Sequence, residues 1–148
     1  MDTYTNILEA LVAFGLNFEV EKSALSTFLP DIETGELTEN IVPDNFATYR
    51  KDTNDILGIV GNRYEVVQNA DQFGVFQNFA DEGLISFENG GIFGNGRRTY
   101  IQAVLPNCIE INADRGDIIK KYVTIVNSHD GTIPLQPFLT HIRIACHN

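Results

Sequence analysis

The sequence has few cysteines, few basic residues and no long apolar run, and each shortage excludes a class of protein. Its 148 residues include two cysteines, too few for the disulfide framework of small secreted domains. No apolar stretch approaches the roughly 18 residues that a membrane-spanning helix needs. The first residues carry no basic segment of the kind that begins a secretory signal. We therefore expect a cytoplasmic protein without a membrane segment.

Basic residues are outnumbered: there are ten lysines and arginines against twenty acids, and the net charge is −10. Residues 1–60 hold eleven acids and three bases, whereas residues 61–148 hold nine and seven. An acidic surface repels phosphate, which disfavours nucleic-acid binding through overall charge. A local basic patch remains open in the second part, or else a solvated face of mixed charge. Its candidates are Arg97, Arg98, Arg115, Lys120, Lys121 and Arg143.

The spacing of the apolar side chains predicts two helices in a chain whose length suits one domain over 1–148. The first covers about residues 4–14, capped by Asp2 or Thr5 and ended by Gly15. The second covers about 70–82, is capped by Asn69 and ends at Gly83. Its apolar stripe is aromatic, which favours a place in the core over a ligand platform. The stripe consists of Phe73, Phe76, Phe79 and Ala80.

Alternating and β-branched runs predict seven or eight strands, and hence an α+β fold with a mainly antiparallel sheet. The predicted strands are 17–21, 46–50, 56–60, 64–67, 84–88, 98–105, 118–127 and 135–146. Residues 51–55 form a turn, and 84–88 and 98–105 form a hairpin. Residues 30–45, which hold five acids with Glu21 just outside, are interpreted as an exposed and mobile acidic loop.

The tip of that hairpin is rich in glycine, with four glycines in residues 89–96. It leads into a strand rather than a helix, so it does not match a dinucleotide-binding loop. A flexible hairpin tip is favoured. Arg97 and Arg98 beside it could still clamp an anionic group.

The histidines and cysteines do not predict a metal site. The spacing of the candidate ligands matches no standard zinc pattern; they are His129, Asp130, His141, Cys146 and His147. We therefore expect no metal and no cofactor. Cys108 and Cys146 are interpreted as buried reduced thiols, and a bridge between them requires that their strands lie side by side.

A compact polar segment, residues 127–131, separates the last two predicted strands. Ser128, His129 and Asp130 are contiguous and cannot form a catalytic triad, whose members converge from separate segments. We predict a structured turn in which Asn127 and Asp130 bond local backbone and Gly131 has a positive φ. His129 is left open as a donor that lines a pocket.

Several stretches in order resemble the phage/plasmid-like family, a prokaryotic domain of unknown function found in phages, plasmids and bacterial chromosomes. They are GLNFEV (15–20), YR (49–50), LGIVGNRY (57–64), VQN (67–69), GNGRR (94–98), NSHDG (127–131) and RIACHN (143–148). The resemblance implies a mobile-element origin and a cytoplasmic location, but no known reaction, cofactor or catalytic residue. Members usually continue past the point that matches Asn148, which implies that this is the N-terminal domain of a longer protein.

Three functions remain open. The first is a non-enzymatic module of mobile-element DNA metabolism that binds single-stranded nucleic acid through Arg97, Arg98, Lys120, Lys121 and Arg143, with exposed aromatic rings stacking on bases. Its strand, helix and hairpin (64–105) are similar in order to the core of single-strand annealing recombinases. The second is an enzyme with a pocket formed by Asn127, His129, Asp130 and Arg143. The third is an acidic protein-interaction domain that acts on a host factor.

Overall fold

The computed structural model of the protein describes residues 2–106, 110–112, 114, 117–133 and 137–144. Their helices are α1 (Ile7–Ala13), α2 (Asn69–Gly74) and α3 (Gln77–Asp81), with a 3-10 turn at Gly94–Gly96. Their strands are β1 (Val20–Pro30), β2 (Leu37–Arg50), β3 (Ile56–Gly61), β4 (Ser86–Phe93), β5 (Arg98–Val104), β6 (Glu110–Asn112), β7 (Asp117–Ser128) and β8 (Pro137–Ile144).

The strands form two antiparallel sheets, which confirms the predicted α+β class. One sheet has three strands in the order β1-β2-β3. The other has five, in the order β4-β5-β7-β6, with β8 also paired to β7. The predicted turn at 51–55 is confirmed as well, and β7 and β8, which correspond to the last two predicted strands, pair with each other.

The first helix is shorter than predicted because its cap is a different residue. The side chain of Asn6 accepts hydrogen bonds from the backbone N–H groups of Leu8 (2.9 Å) and Glu9 (3.2 Å). These are donors that the first turn of a helix leaves unpaired. The prediction of Asp2 or Thr5 as the cap was therefore wrong. Gly15, with a φ of 71°, follows the helix end as expected.

The predicted second helix is two short helices, α2 and α3, separated at Val75 and Phe76. Gly74 ends α2, and glycine is a poor residue for a helix interior. The aromatic stripe is divided as a result. Phe73 is fully buried, but Phe79 is exposed. The predicted strand at 64–67 was also wrong, since these residues form neither helix nor strand. The similarity to annealing recombinases rested on the order strand, helix, hairpin, and its first strand is therefore missing.

The main core lies between the helices and one face of the five-stranded sheet, which we call the inner face. Phe87, Ile101, Ala103 and Ile125 lie on this face. The helices cover them with a set of apolar side chains: Ile7, Ala10, Leu11, Phe73 and Ala80. A second cluster joins β1 to β3 through Phe18, Val20 and Leu57. The opposite, outer face of the five-stranded sheet has no helix in the described part of the chain.

The acidic stretch at 30–45 is exposed, but it is not a loop. β1 and β2 pair as far as Pro30 and Leu37, so most of the stretch is a β-hairpin. Its turn is closed by Asp31, whose carboxylate accepts hydrogen bonds from the backbone of Glu33 (2.8 Å) and Thr34 (2.9 Å). Gly35 supplies the positive φ that the turn requires. The prolines and acids of this stretch led to the prediction of a loop, although edge strands tolerate both residue types.

None of the helices in the described residues is long and apolar enough to cross a membrane.

The cap of α1 leads to a prediction. Replacing Asn6 by alanine removes the acceptor for two backbone N–H groups and should lower the free energy of unfolding by about 1 kcal/mol. Thr5→Ala is the matched control, because the cap bonds do not involve its side chain. Urea unfolding of both variants measures the difference. Equal stability of the two would show that Asn6 does not cap the helix.

Candidate functional site

The polar segment Asn127–Gly131, which we call the corner, lies where the end of β7 meets the three-stranded sheet. The backbone N–H of His129 donates to the carbonyl of Arg97 at 2.7 Å. The hydroxyl of Thr48, on β2, donates to the carbonyl of His129 at 2.7 Å. The hydroxyl of Tyr64 donates to the carbonyl of Ser128 at 3.0 Å. The corner is therefore held from three sides by distant parts of the chain.

A buried amide connects the corner to both helix and sheet. The Asn69 Oδ1 atom accepts from Thr99 Oγ1 (2.8 Å), Asn127 Nδ2 (3.0 Å) and His129 Nε2 (3.0 Å). Its Nδ2 donates to the carbonyl of Leu16 at 3.1 Å. All four of these polar side chains are buried. Buried polar groups are costly without partners, so this set of bonds favours one arrangement of the residues that make them.

The same network sets the protonation of His129. Because Asn69 Oδ1 can only accept, the Nε2 atom of His129 must carry the proton and donate it. The Nδ1 atom is then a lone-pair acceptor, and it has no hydrogen-bond partner among the described residues. The side chain is 0% exposed. Burial lowers the pKa of His129 to about 4, with a smaller opposing effect of Asp130. The imidazole is neutral at physiological pH.

The carboxylate of Asp130 closes the turn. Its Oδ1 atom accepts from Ser128 Oγ (2.6 Å) and from the backbone N–H of Thr132 (3.1 Å). Burial alone would raise the pKa of Asp130, but the bonds from Ser128 and Thr132 outweigh it and lower the pKa. Arg98 lowers it further and donates to the Thr132 hydroxyl at 3.1 Å.

A glycine allows the corner to approach β3 closely. A Cβ atom at Gly58 would lie 2.7 Å from the Cβ and 2.8 Å from the Cα of Asp130. Such distances are inside van der Waals contact, so no side chain fits between this strand and the corner. Gly58 is needed here for space, and its φ is not in the left-handed region.

The corner is a structural turn, as the sequence analysis favoured, but two details differ. Asn127 bonds the distant Val67 carbonyl (3.0 Å) and Asn69 rather than local backbone. His129 is fully buried rather than exposed at the wall of a pocket. Gly131 has the expected positive φ of 75°. Since Ser128 donates to Asp130 and His129 to Asn69, these three neighbours do not act as a catalytic triad.

On its exposed side the corner borders a basic groove. The groove has a volume of about 190 Å³ and is lined by Phe93, Gly94, Arg97, Arg98 and Asp130. The two arginines are brought beside Asp130 because the tip between β4 and β5 turns in three consecutive positive-φ residues, Gly94, Asn95 and Gly96. Arg50 of β2 fixes this tip by donating to the Asn95 carbonyl at 3.0 Å. The groove thus brings together three candidates that the sequence analysis had assigned to separate hypotheses: Arg97 and Arg98 to nucleic-acid binding, and Asp130 to an enzyme pocket.

An aromatic pair extends the basic groove over the outer face of the five-stranded sheet. The rings of Phe93 and Tyr100 stack with centroids 5.4 Å apart and planes at 27°. The Tyr100 ring lies over Gly91 on the neighbouring strand, where a Cβ would come within 2.7 Å of it. Val126 and Ile133 complete an adjoining depression of about 370 Å³. We call the combined set Phe93, Arg97, Arg98, Tyr100, Val126 and Ile133 the aromatic–basic surface.

The other lysines and arginines that were predicted to bind nucleic acid lie far from the aromatic–basic surface. Lys120 is eight residues before Ser128 on β7, and its Nζ is 3.6 Å from Glu88 Oε1. Arg143 pairs with Ile119, nine residues from Ser128, which is about 30 Å along the strand. Lys121 pairs with His141 in the same region. The backbone of Arg143 is therefore separated along β7 from the corner with which it was predicted to form a pocket.

No group of three or more His, Cys, Asp or Glu side chains that could hold a metal ion occurs among the described residues. Cys108 and Cys146, with Arg115 and His147, lie outside those residues. So do the side chains of His141 and Arg143.

Sequence reasoning missed the residues that fix the corner: Thr48, Gly58, Tyr64, Asn69 and Thr99. Two signals were available. Thr99 alternates with the apolar residues Ile101 and Ala103, and Asn127 alternates with Ile125. A polar side chain on the core face of a strand requires a buried partner. Asn69 was interpreted as a helix cap, which hid its role as that partner.

The depressed pKa of His129 leads to a pH dependence of stability. The unfolded chain binds a proton near pH 6.5, whereas the folded protein binds it only near pH 4. Above pH 6.5 the free energy of unfolding includes the full contribution of neutral His129. As the pH falls from 6.5 to 4, the free energy of unfolding declines by on the order of 3 kcal/mol. Unfolding at several pH values measures this loss. His129→Gln, which keeps an N–H donor but does not titrate, should flatten the profile; a variant profile as steep as the wild type would contradict it.

The contact at Gly58 leads to a second prediction. Gly58→Ala places a methyl group against Asp130 and should lower the free energy of unfolding by about 1–3 kcal/mol. Gly74→Ala is the control, because a Cβ there meets nothing within 4 Å. It should leave stability unchanged or raise it by about 0.5–1 kcal/mol. Thermal or urea unfolding compares the two, and a neutral Gly58→Ala would mean that the corner is not pressed against β3.

Comparison with known proteins places the chain in a family without assigning an activity. No curated protein and no solved structure gives a significant match. A family model described as a domain of unknown function, DUF932, matches residues 56–148. The match begins at the first residue of β3 and includes the corner and the aromatic–basic surface; α1, β1 and β2 lie outside it. Because it covers more than half of the sequence, the chain belongs to the DUF932 family.

Proposed function

We propose that the protein is a non-enzymatic module that binds single-stranded nucleic acid on its aromatic–basic surface. The observation that carries the proposal is the stacked pair Phe93 and Tyr100 beside two exposed arginines. Proteins that bind single strands without sequence preference combine aromatic rings, on which bases stack, with cations that follow the backbone. Phe93 is 60% exposed, so its ring is open to a base.

The arginines have the geometry for phosphate. Both end the hairpin tip and both border the basic groove, so one backbone segment could contact the pair. Asp130 lies in the same groove and weakens its positive potential, although its carboxylate is occupied by Ser128 and Thr132. The binding footprint is therefore reduced from the five cations of the sequence-based hypothesis to Arg97 and Arg98.

The net charge of −10 predicts weak binding to a phosphate backbone, but the positions of the acids limit the repulsion. The acids of residues 30–45 lie on the projecting β1–β2 hairpin. Repulsion between charges falls off over a Debye length of about 8 Å at physiological ionic strength. Binding should accordingly be detectable at low salt and decline as salt is added.

The biological setting belongs to the same proposal. A role in the DNA metabolism of a phage or plasmid, inside the bacterial cell, follows from the resemblance of the sequence to the phage/plasmid-like family. The enzyme alternative has less support, because His129 is enclosed and Arg143 pairs far along β7 from the corner.

Fluorescence anisotropy with a labelled oligothymidine at low salt tests the proposal. The double variant Arg97→Ala/Arg98→Ala should weaken binding on the order of 10-fold or more. Phe93→Ala should weaken it by a similar factor, since stacking on one base contributes about 1–3 kcal/mol. Two phosphate contacts predict that log K falls against log salt with a slope of about −1.4.

Two variants serve as matched controls. Arg63→Ala removes an exposed arginine, and Phe79→Ala an exposed phenylalanine, both away from the aromatic–basic surface. Neither should change the affinity. An undetectable affinity at low salt, or equal effects of the surface variants and the controls, would end the proposal.

A further inference from the structure

The β1–β2 hairpin projects beyond the three-stranded sheet as an unsupported ribbon. β3 pairs with β2 only as far as Asn45, so residues 25–43, which we call the arm, have no third strand beside them in the described part of the chain. A two-stranded ribbon alone is marginally stable in water. This one nevertheless has a well-built turn, in which Asp31 N donates to the Glu36 carbonyl at 2.7 Å.

One face of the arm exposes three large apolar side chains beside Glu39. Phe28 is 62% exposed, Ile41 63% and Leu37 67%. The strand register places them together, because Phe28 is opposite Glu39, Ser26 is opposite Ile41 and Pro30 is opposite Leu37. Grouped exposed apolar side chains of this kind mark contact sites for another surface.

The charge of the arm limits what can cover that face. Residues 23–49 contain five acids and no lysine or arginine. Two arms packed face to face would bring their Glu39 side chains together, which costs free energy. The covering surface should instead be basic as well as apolar. On this chain the aromatic–basic surface has both properties, with Arg97 and Arg98 beside Phe93, Tyr100 and Ile133.

The arm cannot reach the aromatic–basic surface of its own chain. Arg50, at the base of β2, bonds the tip beside Arg97. Leu37 is thirteen residues from Arg50 along the same strand, which is about 40 Å. Contact between the two surfaces therefore requires two molecules.

We propose that the arm of one copy docks on the aromatic–basic surface of a second copy. Phe28 enters the depression between Tyr100 and Ile133, and the neighbouring Glu39 pairs with Arg98. Each copy offers one arm and one surface, so a two-fold arrangement makes both contacts and closes the assembly as a dimer. The acidic arm occupies the surface that we assign to nucleic acid, so the two occupants exclude each other.

Sedimentation velocity with a charge exchange tests the docking. The wild-type protein should form dimers at micromolar concentrations and low salt, and dissociate as salt rises. Glu39→Lys and Arg98→Glu should each be monomeric. An equimolar mixture of the two should form heterodimers, because the introduced lysine of one copy then meets the introduced glutamate of the other, while the native pair is kept at the second contact. The control Glu65→Lys, which changes an exposed acid outside the arm, should dimerise like the wild type.

A wild-type chain that stays monomeric at 100 µM and low salt would overturn the inference, as would a dimer that survives both charge reversals. A stable complex with another basic protein, formed by a chain that does not self-associate, would overturn it too. Nucleic-acid binding is assessed separately with Glu39→Lys, whose aromatic–basic surface is intact. If that variant binds oligothymidine while no wild-type dimer forms, the proposed function stands and only the docking fails.

Discussion

The structure depends on one buried amide. Asn69 Oδ1 accepts hydrogen bonds from Thr99, Asn127 and His129, which come from β5, from β7 and from the corner. Each of these donors is buried, and a buried polar group that loses its partner costs about 1–3 kcal/mol. A single side chain on α2 thus aligns the helix layer, the five-stranded sheet and the segment that contacts the three-stranded sheet.

The function that we propose depends on which side of the corner faces water. On the inward side of the corner, His129 is neutral, enclosed and unable to reach a substrate. The outward side holds Asp130 and the adjoining arginines at the mouth of a groove. The rigidity of the inner network fixes the geometry of the outer surface, since the backbone of Arg97 accepts directly from His129. The conspicuous Ser-His-Asp sequence is therefore a scaffold, and the binding surface that we propose lies on the neighbouring strands.

The parts of the fold set by local pattern could be predicted, and those set by distant contacts could not. The alternation of β5 and β7 identified these strands, and Gly15 and Gly131 were recognised from turn chemistry. The arm was predicted as a loop because proline and acidic residues are typical of loops, whereas pairing between its two strands makes it a hairpin. Asn69 was read as a cap because its true partners are 30 to 60 residues away. The site showed the same division: Arg97, Arg98 and Asp130 were each named as binding candidates, but in separate hypotheses, and their common groove depends on tertiary contacts. The distance of Arg143 from the corner depends on strand register, which is not visible in one sequence.

The protonation of the His129 ring shows most directly whether Asn69 holds the corner in place. Nitrogen-15 NMR of the imidazole, followed from pH 8 to pH 5, reports which ring nitrogen carries the proton and whether the ring titrates. We predict a single neutral tautomer, protonated at Nε2 and unchanged over this range, because Asn69 accepts that proton and burial excludes the charged form. A ring that titrates near pH 6.5, or one protonated at Nδ1, would show that the corner is open to solvent and that the network around Asn69 does not hold it.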